Sequence, residues 1–251
     1  MKHIVTTEMQ LTAAHFTADY WHQQNAVVGT SGGRNTVWFI APNQGINTAG
    51  EQWVLRHYYR GGLPGKLIRR SFIYTGLKRT RAMAEFELLQ KMHTSGLPVP
   101  KPVAAYVQRS GITYRASLLI ERIIGSRDLG RLLLEQKLTT TQWQRVGATI
   151  KRFHQAGVYH SDLNCKNILW REHDESVYVI DFDRCFYHKE KERQSGTQQV
   201  VQKSWQAKNL SRLLRSFEKE LNLATRHSPA VNFHWTPADW LALMDGYNGK
   251  I

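Results

Sequence analysis

Cysteine is scarce in this chain: Cys165 and Cys185 are the only two among 251 residues. Two such residues form no spaced metal set and no disulfide framework, so they read as free thiols of a reducing compartment. Long apolar runs are missing as well. None approaches the roughly 20 residues that a membrane-spanning helix needs. The opening residues, MKHIVTTEMQ, have no apolar core, so a secretory signal is not expected there. Internal repeats and low-complexity stretches are absent, and no acidic residue occurs from Gln52 to Ala84. These absences point to a cytoplasmic protein whose contact with any membrane would be peripheral.

What is present is positive charge. Lys and Arg number 34 against 20 Asp and Glu, a formal net charge of +14. Arg56, Arg60, Lys66, Arg69, Arg70, Lys78, Arg79 and Arg81 fall inside the acid-free block. A merely solvated face would carry mixed charge. A block of one sign favours a polyanionic partner, whether nucleic acid, a phosphorylated glycolipid or an anionic membrane surface. Hydrophobic residues at 41%, with eight Trp and ten Tyr, argue for a folded protein rather than a disordered one. The length suits one large domain or two lobes sharing a cleft.

The first part of the chain reads as strands. Thr36–Ala41 and Gln52–Tyr59 are β-branched and aromatic runs joined by the turn-like Pro42–Gly50, which predicts an antiparallel hairpin. Val27 and Val28 lead into a glycine turn containing Gly29, Gly32 and Gly33. Arg79–His93 has helical spacing and is closed by Gly96 and Pro98. Val99–Val107 and Ser117–Ile124 are further strands, and Gly125 starts a hinge segment. Beyond it the pattern turns helical. Thr141 is positioned to cap a helix presenting Trp143, Val146, Ile150 and Phe153 on one face, with Gly157 at its end. Trp205–Leu221 and a helix opened by Thr236-Pro237-Ala238-Asp239 follow. The expected organisation is an α+β fold with a strand-rich lobe over residues 1–124 and a helical lobe over 125–251.

The strongest chemical signal is His160-Ser161-Asp162-Leu163-Asn164-Cys165-Lys166-Asn167, an H-x-D-x-x-x-x-N loop. A turn at Glu172–Ser176 and the apolar run Val177–Ile180 then lead to Asp181-Phe182-Asp183. Phosphoryl transfer needs a carboxylate that takes or orients the proton of the attacking hydroxyl, and oxygen ligands that hold Mg²⁺ against the phosphates of ATP. Asp162 has the position of the base. Asn167 and Asp181 are hard oxygen donors suited to Mg²⁺. A surface turn rich in Asn and Asp is the bland alternative, but the order and spacing of the two motifs favour a kinase of the protein-kinase-like superfold. His160 reads as a support for the loop.

Four further features fit a nucleotide site. Glu85, on the first predicted helix, is placed to pair with a basic residue on a strand, as in V-A-I-K of protein kinases. Here Val54-Leu55-Arg56 has Arg in the Lys position, and Arg and Lys are not equivalent there. Arg56 could grip phosphate oxygens bidentately, with Lys66 as the rival. Gly29, Gly32 and Gly33 could expose N–H groups to phosphates, although they are not G-x-G-x-x-G. Glu121–Ile123 should be the segment whose main chain pairs with adenine.

These motifs together resemble the 3-deoxy-D-manno-octulosonic acid (Kdo) kinases of Gram-negative lipopolysaccharide inner-core synthesis. The resemblance spans nearly the whole chain. It rests on Val54–Tyr58 with Arg60–Leu63, Thr80–Ala82 with Glu85-Phe86, Leu97–Pro100, Glu121-Arg122, His160–Asn164 and Asn167–Leu169. It implies ATP- and Mg²⁺-dependent phosphorylation of the 4-hydroxyl of a Kdo sugar on a lipid A precursor. It also implies peripheral attachment to the cytoplasmic side of the inner membrane, which agrees with the basic block; no nucleic acid partner is then expected. The third residue of Asp181-Phe182-Asp183 departs from Asp-Phe-Gly, and no A-P-E follows. A phosphorylation-controlled activation loop is therefore not expected. Two other readings stay open: a kinase acting on heptose, an aminoglycoside or a protein, and a pseudokinase that only binds lipopolysaccharide or nucleic acid.

Overall fold

The computed structural model describes residues 1–6, 10–32, 36–43, 50–59, 71–188, 197–227 and 232–250. Gly33, most of the turn between Pro42 and Gly50, the basic residues Arg60, Lys66, Arg69 and Arg70, and part of the charged stretch after Arg184 lie outside the described residues. The chain forms two compact units, Met1–Thr94 with Pro100–Ile124, and Ser95–Val99 with Gly125–Ile251.

The first unit is built on an antiparallel sheet. Its strands are β1 (Lys2–Thr6), β2 (Val27–Ser31), β3 (Val37–Ile40), β4 (Trp53–His57), β5 (Phe72–Ile73), β6 (Pro102–Ser110) and β7 (Thr113–Glu121). They run in the order β1-β6-β7-β4-β3-β2, with β5 paired to β7. The expected hairpin is β3 against β4, in the register Phe39 opposite Val54. Two helices accompany the sheet, α1 (Ala18–Gln23) and α2 (Arg81–Thr94). Trp21, Ile40, Trp53, Leu55, Ala104 and Leu119 are fully buried in one cluster. Trp21 meets Trp53 edge-on at 6.0 Å, and its indole N–H donates to the His15 carbonyl at 2.7 Å. That hydrogen bond offsets the cost of burying the polar N–H of the ring.

Gly29 is not in a turn, as its neighbours suggested. It lies within β2, at a register shift between Val27 and Gly29. A Cβ there would stand 3.3 Å from the Phe39 ring. An irregularity of this kind admits glycine because no side chain has to be fitted against the partner strand.

The second unit contains β8 (Ser126–Asp128), α3 (Leu129–Glu135), α4 (Thr140–Gln155), β9 (Val158–Tyr159), β10 (Ile168–Arg171), β11 (Ser176–Val179), β12 (Phe186–Tyr187), α5 (Thr197–His227) and α6 (Pro237–Asn248). Helix α4 buries Trp143, Val146, Ile150 and Phe153 as its spacing predicts. Its cap, however, is Thr139 rather than Thr141. The reason is Gln142: Thr139 Oγ1 accepts from the Gln142 N–H at 3.2 Å, while Gln142 Oε1 accepts from the Thr139 N–H at 2.9 Å. A reciprocal capping box satisfies two free helix-end donors; Thr141 has Gln144 at the same spacing, but it already lies inside the helix, which starts at Thr140. Gly157 closes the helix with φ 78°. Helices α4 and α6 cross through glycines: a Cβ at Gly147 would lie 1.9 Å from the Leu243 carbonyl oxygen, and one at Gly246 would lie 2.0 Å from that of Gln144. Among the described residues no helix is long and apolar enough to cross a membrane.

Candidate active site

In the second unit, the loop from His160 to Asn167 joins β9 to β10, and the β10–β11 hairpin delivers Asp181. The pairing Leu169 opposite Tyr178 fixes that hairpin. The peptide before Asp181 is held at both ends. The Ile180 N–H donates to the Asn167 carbonyl at 3.0 Å, and the Ile180 carbonyl accepts from His160 Nε2 at 3.0 Å. One loop thus sets the position of the residue that the other strand supplies. Asp181 itself has φ 65°. That left-handed conformation is disfavoured for a residue with a Cβ and is kept only where its surroundings dictate it.

His160 is the centre of this arrangement. Its Nδ1 accepts from the Asp162 N–H at 3.2 Å, and its Nε2–H donates to Ile180, so the ring is neutral and in one tautomer. Burial lowers its pKa from the ordinary histidine value, against the opposing effects of Ile180, Asp181 and Asp162. The ring stands edge-on to buried Phe182 at 4.9 Å, and Phe182 stacks on Phe153 at 5.9 Å. This explains why the middle residue of Asp181-Phe182-Asp183 is aromatic: it anchors the turn in the helical core.

Of the side chains expected to do chemistry, that of Asp162 is exposed while Asn167 and Asp181 are half-buried. Asp162 has 58% of its side chain exposed, and its Oδ1 accepts from Arg212 of α5 at 3.2 Å. Its carbonyl accepts from Asn167 Nδ2 at 2.9 Å and Asn164 Nδ2 at 3.0 Å. With Nδ2 so occupied, Asn167 Oδ1 is the amide's remaining group, an oxygen donor beside the loop. Asn167 and Asp181 therefore fit the hard-oxygen set that Mg²⁺ takes when phosphates and water complete its shell. No cluster of three His, Cys, Asp or Glu that could hold a metal occurs among the described residues. Asn164 also caps the short turn at Cys165–Asn167 by accepting from the Lys166 N–H at 2.9 Å.

In the first unit, the structure pairs Glu85 with Arg56. Arg56 Nη2 donates to Glu85 Oε2, and Tyr58 donates to the same oxygen at 2.6 Å. Burial, followed by the neighbouring Glu85 charge, raises the Tyr58 pKa well above that of an exposed phenol, so Tyr58 is a donor at neutral pH. Gly32 follows β2, and no atom of the described residues lies within 4 Å of where its Cβ would go. Glu121 and Arg122 use their main-chain N–H groups internally, to the Lys101 carbonyl at 2.8 Å and the Gln52 carbonyl at 2.7 Å. Both of these N–H groups, in the segment expected to meet adenine, thus have partners within the chain.

Sequence reasoning did not find Tyr58, Asn209 or Arg212. Asn209 is 1% exposed. It accepts from the His160 N–H at 3.2 Å and donates to the His160 carbonyl at 2.9 Å. A signal existed: Trp205, Asn209, Leu213 and Phe217 are spaced by four, so the polar residue falls in an apolar stripe. A buried amide needs partners, and here they are the main chain of the catalytic-type loop.

The profile of the family described as "Lipopolysaccharide kinase (Kdo/WaaP) family" matches residues 18–247. A 3-deoxy-D-manno-octulosonic acid kinase of Photobacterium damsela subsp. piscicida is 45% identical over 236 residues, covering 94% of this chain and 88% of that protein. One from Mannheimia succiniciproducens is 40% identical over 239 residues, with 93% and 90% covered. Among solved structures, WaaP in complex with acyl carrier protein is similar with a TM-score of 0.54 and 15% identity over 90% of this chain and 80% of that one. At that identity the likeness speaks for the fold, an α+β kinase-like one.

Proposed function

The chain belongs to the lipopolysaccharide kinase (Kdo/WaaP) family, and from that premise we propose that it transfers the γ-phosphoryl group of ATP to the 4-hydroxyl of a Kdo sugar carried on a lipid A precursor. The observation that carries the reading is the joined pair of loops in which His160 and Asn167 clamp the peptide before Asp181 while Asp162 projects beside them. A protein that only bound lipopolysaccharide would have no use for a base and two metal-type ligands held in register.

In this reading Asp162 accepts a hydrogen bond from the attacking hydroxyl and orients its oxygen towards the γ-phosphorus. The new O–P bond forms as the bond to the bridging oxygen of ADP breaks, and the hydroxyl proton passes to Asp162. Asn167 and Asp181 would hold Mg²⁺, which when bound neutralises charge on the phosphates. Arg56, oriented by Glu85 and Tyr58, is the cation for the nucleotide phosphates, and Gly29, Gly32 and Gly33 belong to the segment covering them. The basic block around Arg60–Arg70 would hold the protein peripherally at the anionic cytoplasmic side of the inner membrane, where a lipid-linked acceptor is presented.

The test is incubation of the protein with ATP, Mg²⁺ and Kdo-bearing lipid A precursor, with mass analysis for a gain of one phosphate. Asp162→Ala should abolish that product while nucleotide binding in the presence of Mg²⁺ stays close to that of the parent. Phosphorylation at a normal rate by Asp162→Ala would remove Asp162 from the mechanism, and no product from the parent would refute the acceptor.

A further inference from the structure

Helix α5 carries an open pocket of about 380 Å³ lined by Tyr159, Ala207, Lys208, Ser211, Arg212 and Arg215. Three of the six lining residues are cations and none is an acid. Lys208, Ser211, Arg212 and Arg215 fall at spacings of three and four, so one exposed helix face presents all of them. The inward face of the same helix is fixed by Trp205, Asn209, Leu213 and Phe217, which are buried.

The pocket is joined to the candidate base. Arg212 lines it and donates to Asp162 Oδ1 at 3.2 Å. Lys166, which also lies beside this helix, is already paired with Glu220 at 2.8 Å. Lys208 and Arg215 have no acidic partner among the described residues. Tyr159 forms a wall and is held by stacking on Phe186 at 4.9 Å and by an edge contact with Trp205 at 6.2 Å. A fixed aromatic ring beside a group of cations is suited to a polar ring that bears an anion: the ring supplies an apolar face and the cations take the charge.

We propose that this pocket seats the acceptor sugar through its carboxylate, with Arg212 and Arg215 as the principal contacts, Lys208 as a third cation and Tyr159 against the ring. This rests on the acceptor being an acid sugar, as argued above, and adds where its charge is read. Two consequences make the arrangement useful. Guanidinium groups match a carboxylate with paired donors, so the sugar's orientation as well as its presence is fixed. Arg212 also occupies one carboxylate oxygen of Asp162, Oδ1. An anion that engages Arg212 relieves Asp162 of that contact, so a sugar with the right charge would itself prepare the base. Neutral sugars would leave Arg212 on Asp162.

The experiment uses the full chain. Binding of free Kdo is measured by calorimetry for the parent, Arg215→Gln and the double variant Lys208→Gln/Arg215→Gln. Phosphorylation kinetics are measured on lipid-linked Kdo and on the same acceptor with its carboxylate converted to the primary amide. Free Kdo should bind the parent, about tenfold more weakly to Arg215→Gln, and more weakly again to the double variant. KM for the lipid-linked acceptor should rise about tenfold in Arg215→Gln, with KM for ATP unchanged. The amide acceptor should cost the parent about as much as Arg215→Gln does, and cost that variant little more. Equal binding of free Kdo by parent and variants would overturn the proposal, as would failure of the parent to bind it or an amide acceptor that is used as well as the acid. A rise in KM for ATP instead would give the pocket to the nucleotide and overturn it too. If the parent binds Kdo through Arg215 yet phosphorylates no Kdo acceptor, the pocket stands and the kinase assignment falls.

Discussion

Glu85 is a carboxylate with 2% of its side chain exposed, and Arg56, at 18%, is its counter-ion. Neither group could be left alone at that depth: a buried ion that loses its partner keeps its desolvation cost and loses its compensation. Arg56→Ala should therefore destabilise the first unit by about 3–5 kcal/mol, measured by denaturant unfolding followed through tryptophan fluorescence. Arg56→Lys keeps the charge but has a single ammonium where the guanidinium reaches Glu85 and also Tyr58 at 3.4 Å. It should recover most of that stability. An Arg56→Ala protein as stable as the parent would show that Glu85 does not depend on the pair. At this scale the sequence was informative where function compresses residues into a short word. Asp162 and Asn167 are five apart and share one loop. Arg56 was legible through the strand that carries it. Arg212 and Asn209 were not, because each meets its partner some fifty residues away in the chain, and contiguous spacing says nothing about such a distance.

Among elements, the α4–α6 crossing depends on two residues without side chains. A Cβ at Gly147 or Gly246 would meet main-chain atoms at 1.9 Å or 2.0 Å, and a backbone carbonyl cannot rotate away as a flexible side chain can. Gly147→Ala should cost about 1–3 kcal/mol or more through forced separation of the helices, seen as a fall in melting temperature. Gly32→Ala, where a Cβ meets nothing within 4 Å among the described residues, should stay within about 0.5 kcal/mol of the parent. Comparable losses in both would mean that the close approach is not what Gly147 protects. Elements with strong patterns could be read in advance: β3 and β4 from their aromatic and β-branched runs, α4 from its apolar face. The start of α4 was two residues off because three threonines stand in a row and two of them, Thr139 and Thr141, each have a Gln three residues on, so local spacing does not choose between them. Strand β1 and helices α1 and α3 were missed. They are short, and their place is settled by what they pack on: β1 runs beside β6 with Ile4 opposite Tyr106, and α3 is capped by Asp128.

For the molecule as a whole, charge and protonation set the working range. His154 is 2% exposed, its Nδ1 lies 2.8 Å from the Tyr247 hydroxyl, and burial lowers its pKa from 6.5 to about 4. The folded-state value lies below the unfolded one, so between those pH values the unfolded chain binds a proton that the folded chain refuses. Stability from this group is present in full above pH 6.5 and is lost as pH falls towards about 4, a total near 3 kcal/mol. His160 adds to the loss in the same direction. Urea unfolding at a series of pH values should show stability dropping through that window, and His154→Gln should flatten the slope by up to one proton. A slope unchanged by the substitution would exclude His154 as its source. The formal charge of +14 acts at longer range. Replacing Arg60, Lys66, Arg69 and Arg70 by Gln should weaken co-sedimentation with anionic vesicles, at about 1 kcal/mol per cation near the surface. The parent's binding should also fall steeply as salt rises. Equal vesicle binding by parent and variant would end the proposal of a membrane-facing basic block.

The polypeptide enters the second unit twice, first as the five residues Ser95–Val99 and then from Gly125 onward. The short visit is structural. The Pro98 carbonyl accepts from the Val179 N–H at 3.0 Å, two residues before Asp181, and the Gly96 carbonyl accepts from Arg152 of α4 at 2.7 Å. A gene dissected between codons 124 and 125 would therefore yield a helical fragment lacking two of its own backbone acceptors, one of them beside the turn at Asp181. During synthesis the ribosome releases those acceptors long before the donors they serve. The second unit completes itself only by reaching back to chain that emerged with the first, so a fragment beginning at residue 125 lacks, by itself, the acceptor beside the Asp181 end.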